Sequence, residues 1–398
     1  MRNSLAAAFV AVALARSAYA TSYSAHNTAV SGSSRHVGLA GSIVAFPDGY
    51  AAAFMNPAGL AGLTGDGLDF GSDANSIDDF VVDLDNPKSR GLNFPLKYSY
   101  AGFRFASPQG WGFGFVASSP FQLDNSFLNG TVVRKPKGGG FFAASNQTRV
   151  RLNVDTYTLA AAKAFGKEWA VGAALDYNRV REAYDFTESN GPSAHLDQTR
   201  DAWSGNVGVV GRPWRWLGVG AVYRTGFRTS FDSTLNAGIQ PPGTKWFRDV
   251  KVPAGFSFGL ALLPWPDRLR LYLQSTYTRK MSDTVMVGTG LFAGQTSNVS
   301  TGQYDTIDGH WGLETIPIAY PDLTVKLWAG GYLENTGLQG GYSRYHRTAG
   351  LQVSPWFIDF SAAVDDAEFF NNFSIGVGVD LLQLSSRVAK HYGWKLPI

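Results

Sequence analysis

The stretch "FSIGVGVDL", residues 373–381, contains the pattern that decides the fold. Its apolar residues Phe373, Ile375 and Val377 alternate with serine and glycine. Successive side chains of a strand point to opposite faces, so this period predicts a strand with one apolar face and one small or polar face. The stretch "LRLYLQSTY", residues 269–277, repeats the alternation and predicts a second such strand.

The same reading along the chain predicts fourteen strands. They begin near residues 66, 96, 111, 151, 169, 203, 216, 253, 268, 310, 323, 346, 356 and 373. Short turn-rich connections, such as 107–110 and 321–322, alternate with long polar segments, such as 120–149 and 183–202. An even number of strands with short turns at one end and long loops at the other is typical of outer-membrane barrels. The sequence therefore predicts an all-β fold, a transmembrane antiparallel β-barrel of about 14 strands.

Composition and the first residues are consistent with this class. Arg2, the apolar run 5–14 and the small residues of 18–20 predict a secretory signal peptide over residues 1–20. The chain has no cysteine, a net charge of +3 and only 16% charged residues, which excludes a disulfide scaffold and argues against a nucleic-acid partner. We expect localisation in the outer membrane of a Gram-negative cell.

The segment between the signal and the first strand requires another location. In "AAAFMNPAGLAGL", residues 51–63, small apolar residues are interrupted by proline and glycine, a composition unsuited to a regular helix or strand. A barrel of about fourteen strands has a bore wide enough to need filling. We therefore predict that residues 21–65 form a hatch that plugs the lumen of a barrel over residues 66–382.

The sequence resembles the FadL-type outer-membrane transporters of long-chain fatty acids and other hydrophobic compounds. The resemblance rests on "VGLAGSIVAFPDGYAAAFMNPAGLAGL" (37–63), with an Asn-Pro-Ala box at Asn56, Pro57 and Ala58, and on "GWGFGFVASSPFQLDNSF" (110–127). Two later stretches, 217–231 and 252–279, resemble hairpins of the family.

The resemblance implies a mechanism. A ligand passes from outside through apolar pockets, the hatch shifts, and the ligand leaves sideways through a gap made by a kink in the third strand. The candidate kink here is Gly112, Phe113 and Gly114, since glycine permits a bulge. The other interpretation is that these glycines only make room for neighbouring aromatic rings.

The end of the chain departs from the family, which commonly ends on its last strand. About sixteen residues follow Leu382, and Tyr392, Trp394 and Leu396 alternate as in a further strand. Pro397 would remove a donor from such a strand. We predict a periplasmic C-terminal tail over residues 383–398, with a final strand as the alternative.

Three other features have weak chemical significance. "GFSFG", residues 255–259, matches the nucleophile elbow of hydrolases, but Ser257 lies in a predicted strand, so no enzyme is predicted. The acidic cluster 73–79 lacks the turn glycine of an EF-hand loop and predicts a solvated external loop. Arg149 and Arg151 are candidates for contact with lipopolysaccharide phosphates or for a solvated rim. No metal or cofactor site is predicted.

The predicted function is passive transport of hydrophobic small molecules, long-chain fatty acids or similar apolar compounds, across the outer membrane. The partners expected are the ligand, outer-membrane lipid and lipopolysaccharide, and the chain is expected to be a monomer. Two alternatives remain: a structural or adhesive surface barrel whose hatch never opens, and a general polar porin.

Overall fold

The structure is a computed structural model. It describes residues 33–47, 49–61, 67–79, 92–93, 97–134, 142–188, 193–230, 249–279, 305–335, 343–367 and 370–392. The predicted signal peptide and residues 393–398 lie outside these ranges.

Seventeen strands occur in the described residues. In chain order they are β1 (Gly67–Asp79), β2 (Leu92–Asn93), β3 (Lys97–Ala106), β4 (Trp111–Arg134), β5 (Phe142–Phe165), β6 (Trp169–Glu188), β7 (Ser193–Trp214), β8 (Leu217–Arg224), β9 (Phe227–Ser230), β10 (Asp249–Val252), β11 (Gly255–Trp265), β12 (Leu269–Thr278), β13 (Thr306–Tyr320), β14 (Leu323–Asn335), β15 (Ser343–Pro355), β16 (Ile358–Ala367) and β17 (Phe370–Asp380). The short strand β2 pairs with β1, and β9 pairs with β10 in a small separate sheet.

The other fourteen strands form one closed antiparallel barrel. Each pairs with its neighbours in sequence, and β1 closes the circle by pairing with β17, with Asp69 opposite Asp380 and Ser76 opposite Phe373. Closure leaves no free edge around the barrel, as a sheet in lipid requires. The predicted barrel and its strand number are therefore confirmed.

The outer surface of the barrel is apolar and is bordered by aromatic rings. Phe115, Leu175 and Val377 are among the exposed apolar side chains of its middle zone. Near the short turns, Trp214 and Trp216 stack with ring centroids 5.6 Å apart. Large exposed rings also lie at Trp111, Phe165, Trp169, Trp265, Tyr320 and Trp356. An outward apolar zone between aromatic girdles is the surface of a membrane-spanning barrel.

The second girdle lies at the opposite end of the barrel wall. On β5, β6 and β7, the ring centroids of Tyr157 and Tyr177 are 6.2 Å apart and those of Tyr177 and Trp203 are 5.2 Å apart. These rings mark the external border of the membrane zone.

Strands β4 to β7 continue well past this girdle. They have 24, 24, 20 and 22 residues, whereas a membrane-spanning strand needs about 9–11. The expectation that 120–149 and 183–202 form long loops is therefore wrong for most of both segments. Polar residues are compatible with paired strands here, because a hairpin outside the bilayer needs no apolar outer face.

The polarity of the two faces reverses in this external extension. Arg179 and Asp201 are exposed on its outer face, whereas Val154 and Val180 are buried on its inner face. Phe121 of β4 is directly opposite Val154 in the register. The inner face of the extension is thus apolar at Val154 and Val180. In the membrane zone, by contrast, the apolar face is the outer one.

Three short elements belong to the hatch, and a longer helix ends the described chain. They are α1 (Ser34–Gly38), α2 (Ala52–Met55), a 3₁₀ helix (Pro57–Ala61) and α3 (Leu381–Tyr392). In the described residues no helix combines the length and apolar character needed to cross a bilayer.

Helix α3 begins directly after β17. Asp380 caps its first turn by accepting a hydrogen bond from the Gln383 amide (2.9 Å). Arg387 forms an ion pair with Asp322 in the β13–β14 turn (2.5 Å). The residues from 381 to 392 are therefore helical, and the remaining positions of the alternative final strand, 393–398, lie outside the described residues.

Candidate functional site: the hatch inside the barrel

The described part of the hatch, residues 33–47 and 49–61, occupies the barrel lumen. Helix α1 contacts β14 to β17, while the 3₁₀ helix contacts β3 to β7. Nearly all of these hatch residues are buried, among them Leu39, Ile43, Met55 and Leu60. The described hatch therefore contacts two different arcs of the barrel wall from the inside.

Inward-facing glycines let the hatch backbone approach the wall. A Cβ atom at Gly172 of β6 would lie 2.5 Å from the backbone nitrogen of Ala58 and 2.5 Å from the carbonyl carbon of Pro57. A Cβ at Gly112 of β4 would overlap the carbonyl of Leu60. Any larger residue at these positions would displace the hatch, so the glycines and the hatch are matched in shape.

Asn56 ties three backbone segments together. Its side-chain Nδ2 donates to the carbonyls of Val44 (2.9 Å), Val209 (3.2 Å) and Ala221 (3.3 Å). Its Oδ1 accepts a hydrogen bond from the Ala58 amide (3.2 Å). One fully buried side chain thus links two parts of the hatch to β7 and β8.

The rest of the Asn-Pro-Ala box is equally enclosed. Pro57 starts the 3₁₀ helix, a position at which a missing amide hydrogen costs nothing. Ala58 is fully buried. A Cβ at Gly208 would overlap Oδ1 of Asn56. The box is therefore the point at which the hatch meets β6 and β7.

A buried ion-pair network fixes the first half of the hatch, which we define as residues 33–47. Nε of Arg35 donates to Glu314 Oε2 (2.8 Å), and Nη1 of Arg270 donates to Oε1 (2.7 Å). Tyr272 (3.3 Å) and the Trp328 indole (3.1 Å) donate to the same carboxylate. Glu314 is fully buried, so these four donors replace water in stabilising its negative charge.

Asp73 forms a second polar anchor. It accepts hydrogen bonds from the Ser34 amide (2.8 Å) and hydroxyl (2.7 Å) and from the Tyr50 hydroxyl (2.6 Å). Asp73 is 2% exposed and lies within β1. The prediction that 73–79 is a solvated loop is therefore wrong: the segment alternates as a barrel strand, and its inward carboxylate binds the hatch.

A third anchor involves aromatic stacking. His310 donates from Nδ1 to the Ala40 carbonyl (2.7 Å), at a hatch turn in which Ala40 has φ 54°. The rings of His310, Tyr332 and His346 stack in succession, with centroids 5.4 and 4.1 Å apart. Asp365 accepts from both Tyr332 (2.8 Å) and His346 (2.8 Å), which holds the stack in place.

The second half of the hatch, residues 49–61, is contacted by an arginine of the barrel wall. Nη2 of Arg224, at the external end of β8, donates to the carbonyls of Phe54 (3.0 Å) and Met55 (2.8 Å). Its guanidinium carbon lies 5.1 Å from the centroid of the Phe54 ring. Within the described residues its Nε is buried without a hydrogen-bond partner, and no carboxylate contacts it.

The predicted kink residues lie in a regular part of β4. Gly112 is opposite Ala106 of β3 and Ala162 of β5, and the register through Phe113 and Gly114 is continuous on both sides. The register shift of this strand lies further along, between Ser118 and Phe121. Among the described residues, the pairing of β4 with β3 also ends at Ser118.

Ser257 is part of the wall. It lies in the interior of β11, and its Oγ is 3.0 Å from the hydroxyl of Thr276 on β12. The prediction that Ser257 lies within a strand is confirmed, and no strand-to-helix turn is present at this position. Among the described residues, no cluster of histidine and carboxylate side chains could hold a metal ion.

Comparison with solved structures identifies the fold. A FadL homologue of Pseudomonas aeruginosa superposes with a TM-score of 0.60 at 14% identity, over 88% of this chain and 98% of that chain. The chain has the FadL fold. The CymD monoaromatic hydrocarbon channel (TM-score 0.57, 15% identity, 88% and 98%) and the Ralstonia pickettii toluene transporter TbuX (0.54, 17%, 88% and 99%) share it.

The FadL fold confirms the predicted resemblance at the level of architecture. No protein-family model and no curated protein matches the sequence. The FadL fold and the girdled apolar surface together identify the chain as an outer-membrane β-barrel, as the alternation predicts.

The anchors of the hatch were missed by sequence reasoning. These anchors are Glu314, Asp73 and Arg224, and each lies at an inward position of a strand that the sequence predicts. A polar residue at such a position is ordinary in a barrel, so only the structure distinguishes those that touch the hatch.

Proposed function

We propose that the chain transports apolar small molecules passively across the outer membrane, with long-chain fatty acids or similar apolar compounds as cargo. The FadL fold supports the proposal, because two structures that share it are described as a monoaromatic hydrocarbon channel and a toluene transporter. A Gram-negative host and a monomeric state are part of the same proposal.

The observation that carries the proposal is the filled lumen. The hatch packs against the inward glycines so closely that a Cβ atom at Gly112 or Gly172 would overlap its backbone. A general porin needs an open aqueous bore, and this arrangement favours a gated route over a polar pore.

The external extension of β4 to β7 carries apolar side chains on its inner face. Val154 and Val180 lie there and are buried. An apolar molecule gains about 25 cal/mol for each Å² that it buries on such a surface. We place the first contact with the cargo there, while Arg149 and Arg151 remain candidates for contact with lipopolysaccharide.

We place the exit in the wall between β3 and β4. The register shift between Ser118 and Phe121 adds one residue to β4, and a bulge of this kind bends a strand away from its neighbour. This position replaces Gly112–Gly114 as the proposed kink. Ala117 is opposite Tyr157 in the register, so this gap would open at the external border of the membrane zone and deliver apolar cargo to the outer edge of the bilayer.

Movement of the second half of the hatch would open the route. The first half is held by charged groups at Glu314 and Asp73. The second half is held by the hydrogen bond from Tyr50 to Asp73, by neutral contacts of Asn56 and by Arg224, which donates to backbone carbonyls. Separation of the buried pair of Arg35 and Glu314 would leave both charges without their partner. Separation of the second half breaks no ion pair of the described residues, so we propose that this half moves more readily.

Domain boundaries follow from this mechanism as proposals. Residues 1–20 are removed as a signal peptide, 21–65 form the hatch, 66–382 the barrel and 383–398 the periplasmic tail.

The first test is uptake of labelled fatty acid by a Gram-negative host that lacks its own transporter. The chain should restore uptake, and the double variant Asn56→Ala/Pro57→Ala should lose it while still inserting in the outer membrane. Insertion without uptake by the natural chain would favour a structural or adhesive barrel. Stable ion conductance of the natural chain would favour a porin.

A second test uses the absence of cysteine from the chain. The Cβ of Ala53 lies 3.0 Å from the Cβ position at Gly114, and the Cβ of Ala40 lies 3.0 Å from that at Gly330. Both pairs are close enough to form a disulfide after a small shift. Oxidised Ala53→Cys/Gly114→Cys should stop uptake reversibly, whereas oxidised Ala40→Cys/Gly330→Cys, on the first half, should not. Equal uptake by the two oxidised variants would contradict movement of the second half of the hatch.

A further inference from the structure

His346 of β15 lies between two carboxylates inside the barrel. Its Nδ1 is 2.8 Å from Oδ1 of Asp365 on β16, and its Nε2 is 3.1 Å from Oε2 of Glu334 on β14. All three side chains are buried. An ionised carboxylate only accepts hydrogen bonds, whereas a neutral imidazole has a single N–H donor. The two contacts therefore require a proton on both ring nitrogens, which makes the ring an imidazolium cation.

An aromatic stack connects this charged ring to the hatch. Tyr332 lies between His346 and His310, with ring centroids 4.1 and 5.4 Å away. A cation over a tyrosine ring is a favourable contact. The Tyr332 hydroxyl also donates to Asp365 (2.8 Å), so one carboxylate holds both rings. Because His310 binds the Ala40 carbonyl (2.7 Å), the charged ring supports a contact between the wall and the first half of the hatch.

Other ionisable residues lie on the elements around this cluster. They are Asp308 and His310 of β13, Arg344 of β15, which is opposite Glu334 in the register, and Arg35 and His36 of helix α1, which packs against β15 and β16. Arg35 is paired with Glu314. Asp308 and Glu334 are close enough to repel each other when both are ionised, which favours a cation beside Glu334. His346 is within hydrogen-bond distance of both of its carboxylates, so its own proton decides whether these two contacts persist.

We propose that the imidazolium of His346 is a proton-dependent lock that holds the first half of the hatch against the wall. The lock is closed while the ring is charged. When the pH rises and the ring loses its proton, one nitrogen presents a lone pair to a carboxylate, that contact becomes repulsive, and the stack that supports His310 loosens. Protonation of Asp365 or Glu334 in acid also weakens the lock. The lock acts whether or not the barrel carries apolar cargo.

Nitrogen NMR of the full-length chain, with isotope-labelled histidine and in detergent micelles, tests the charge directly. The variant His346→Gln identifies the signals that belong to His346. Both ring nitrogens should carry a proton at neutral pH, as only the imidazolium does. A ring with one protonated nitrogen at neutral pH would overturn the proposal.

Ion conductance of the chain in planar bilayers tests the lock. The natural chain should conduct several-fold more at about pH 9, below the ordinary titration range of tyrosine and lysine, than at neutral pH. In Glu334→Gln, the amide can accept from a protonated ring nitrogen or donate to a bare one. This variant should therefore conduct little at both pH values. His195→Gln removes an exposed histidine of β7 and should respond to pH as the natural chain does.

The conductance outcomes decide between a lock and a passive contact. A natural chain that conducts equally at both pH values, or a rise that persists in Glu334→Gln, would overturn the proposal and leave the transport function standing. If Glu334→Gln does not insert in the bilayer, Asp365→Asn offers Nδ1 of His346 the same choice of partner. It decides by the same criterion: low conductance at both pH values supports the lock, and a persistent rise overturns it.

Discussion

Arg35 of the hatch and Glu314 of the barrel wall form a buried ion pair, with Nε and Oε2 2.8 Å apart and side-chain exposures of 9% and 0%. Arg270 binds the other oxygen of the same carboxylate at 2.7 Å. This carboxylate of β13 thus binds a hatch residue that lies 279 positions earlier in the chain, and it also binds Arg270 of β12. The pair attaches the first half of the hatch to the wall and explains why we assign movement to the second half.

Replacement of Glu314 by glutamine should strongly destabilise the folded chain. The substitution keeps the shape but leaves Arg35 and Arg270 buried without their carboxylate. Removal of one partner of a buried pair typically lowers the free energy of unfolding by about 3–5 kcal/mol. Urea unfolding in lipid vesicles, followed by tryptophan fluorescence, measures the change.

An exposed ion pair provides the control for that experiment. Arg181 and Asp197 form an ion pair at 2.5 Å on the outer face of the external extension, with side-chain exposures of 54% and 31%. Asp197→Asn should lower the free energy of unfolding far less than Glu314→Gln, because water and salt screen an exposed ion pair. Equal effects of the two substitutions would show that Glu314 does not anchor the hatch.

Substitution of Gly112 by alanine should dislodge the end of the hatch. The new Cβ would overlap the Leu60 carbonyl, and overpacking of this kind costs about 1–3 kcal/mol. We expect faster proteolysis within the hatch and a higher ion conductance of the reconstituted barrel. Gly309→Ala on β13 is the matched control, because a Cβ at Gly309 meets nothing within 4 Å. A Gly112→Ala variant as resistant as the natural chain would contradict the close fit.

Most of the barrel could be predicted from the sequence because the membrane imposes a simple pattern. Strands at Trp111, Trp169 and Leu323 begin where alternation and turn residues indicate. The external halves of β4 to β7 were missed, because pairing outside the bilayer does not require alternation of apolar and polar residues. Helix α3 was missed as well, although Leu381, Leu384 and Val388 have helical spacing.

The candidate site could be predicted only in part. The box at Asn56 was found from its resemblance, and the structure adds the bonds that it makes to the wall. Glu314 and Arg224 could not be chosen from the sequence, because many inward polar residues of a barrel face the lumen and only some touch the hatch. Contacts across 170 residues, such as that of Arg224 with Phe54, leave no local signal.

Deletion of Pro120 should close the proposed lateral exit. In the natural chain Ser118 pairs with Thr156 of β5 and Phe121 pairs with Val154, so β4 has one extra residue between these pairs. The deletion removes that residue and would make the register of β4 with β5 continuous. Because no other contact is removed at the hatch, binding of apolar ligand to the purified chain should persist. Uptake by cells should fall to the level of the host alone. Uptake at the natural rate would place the exit elsewhere in the wall.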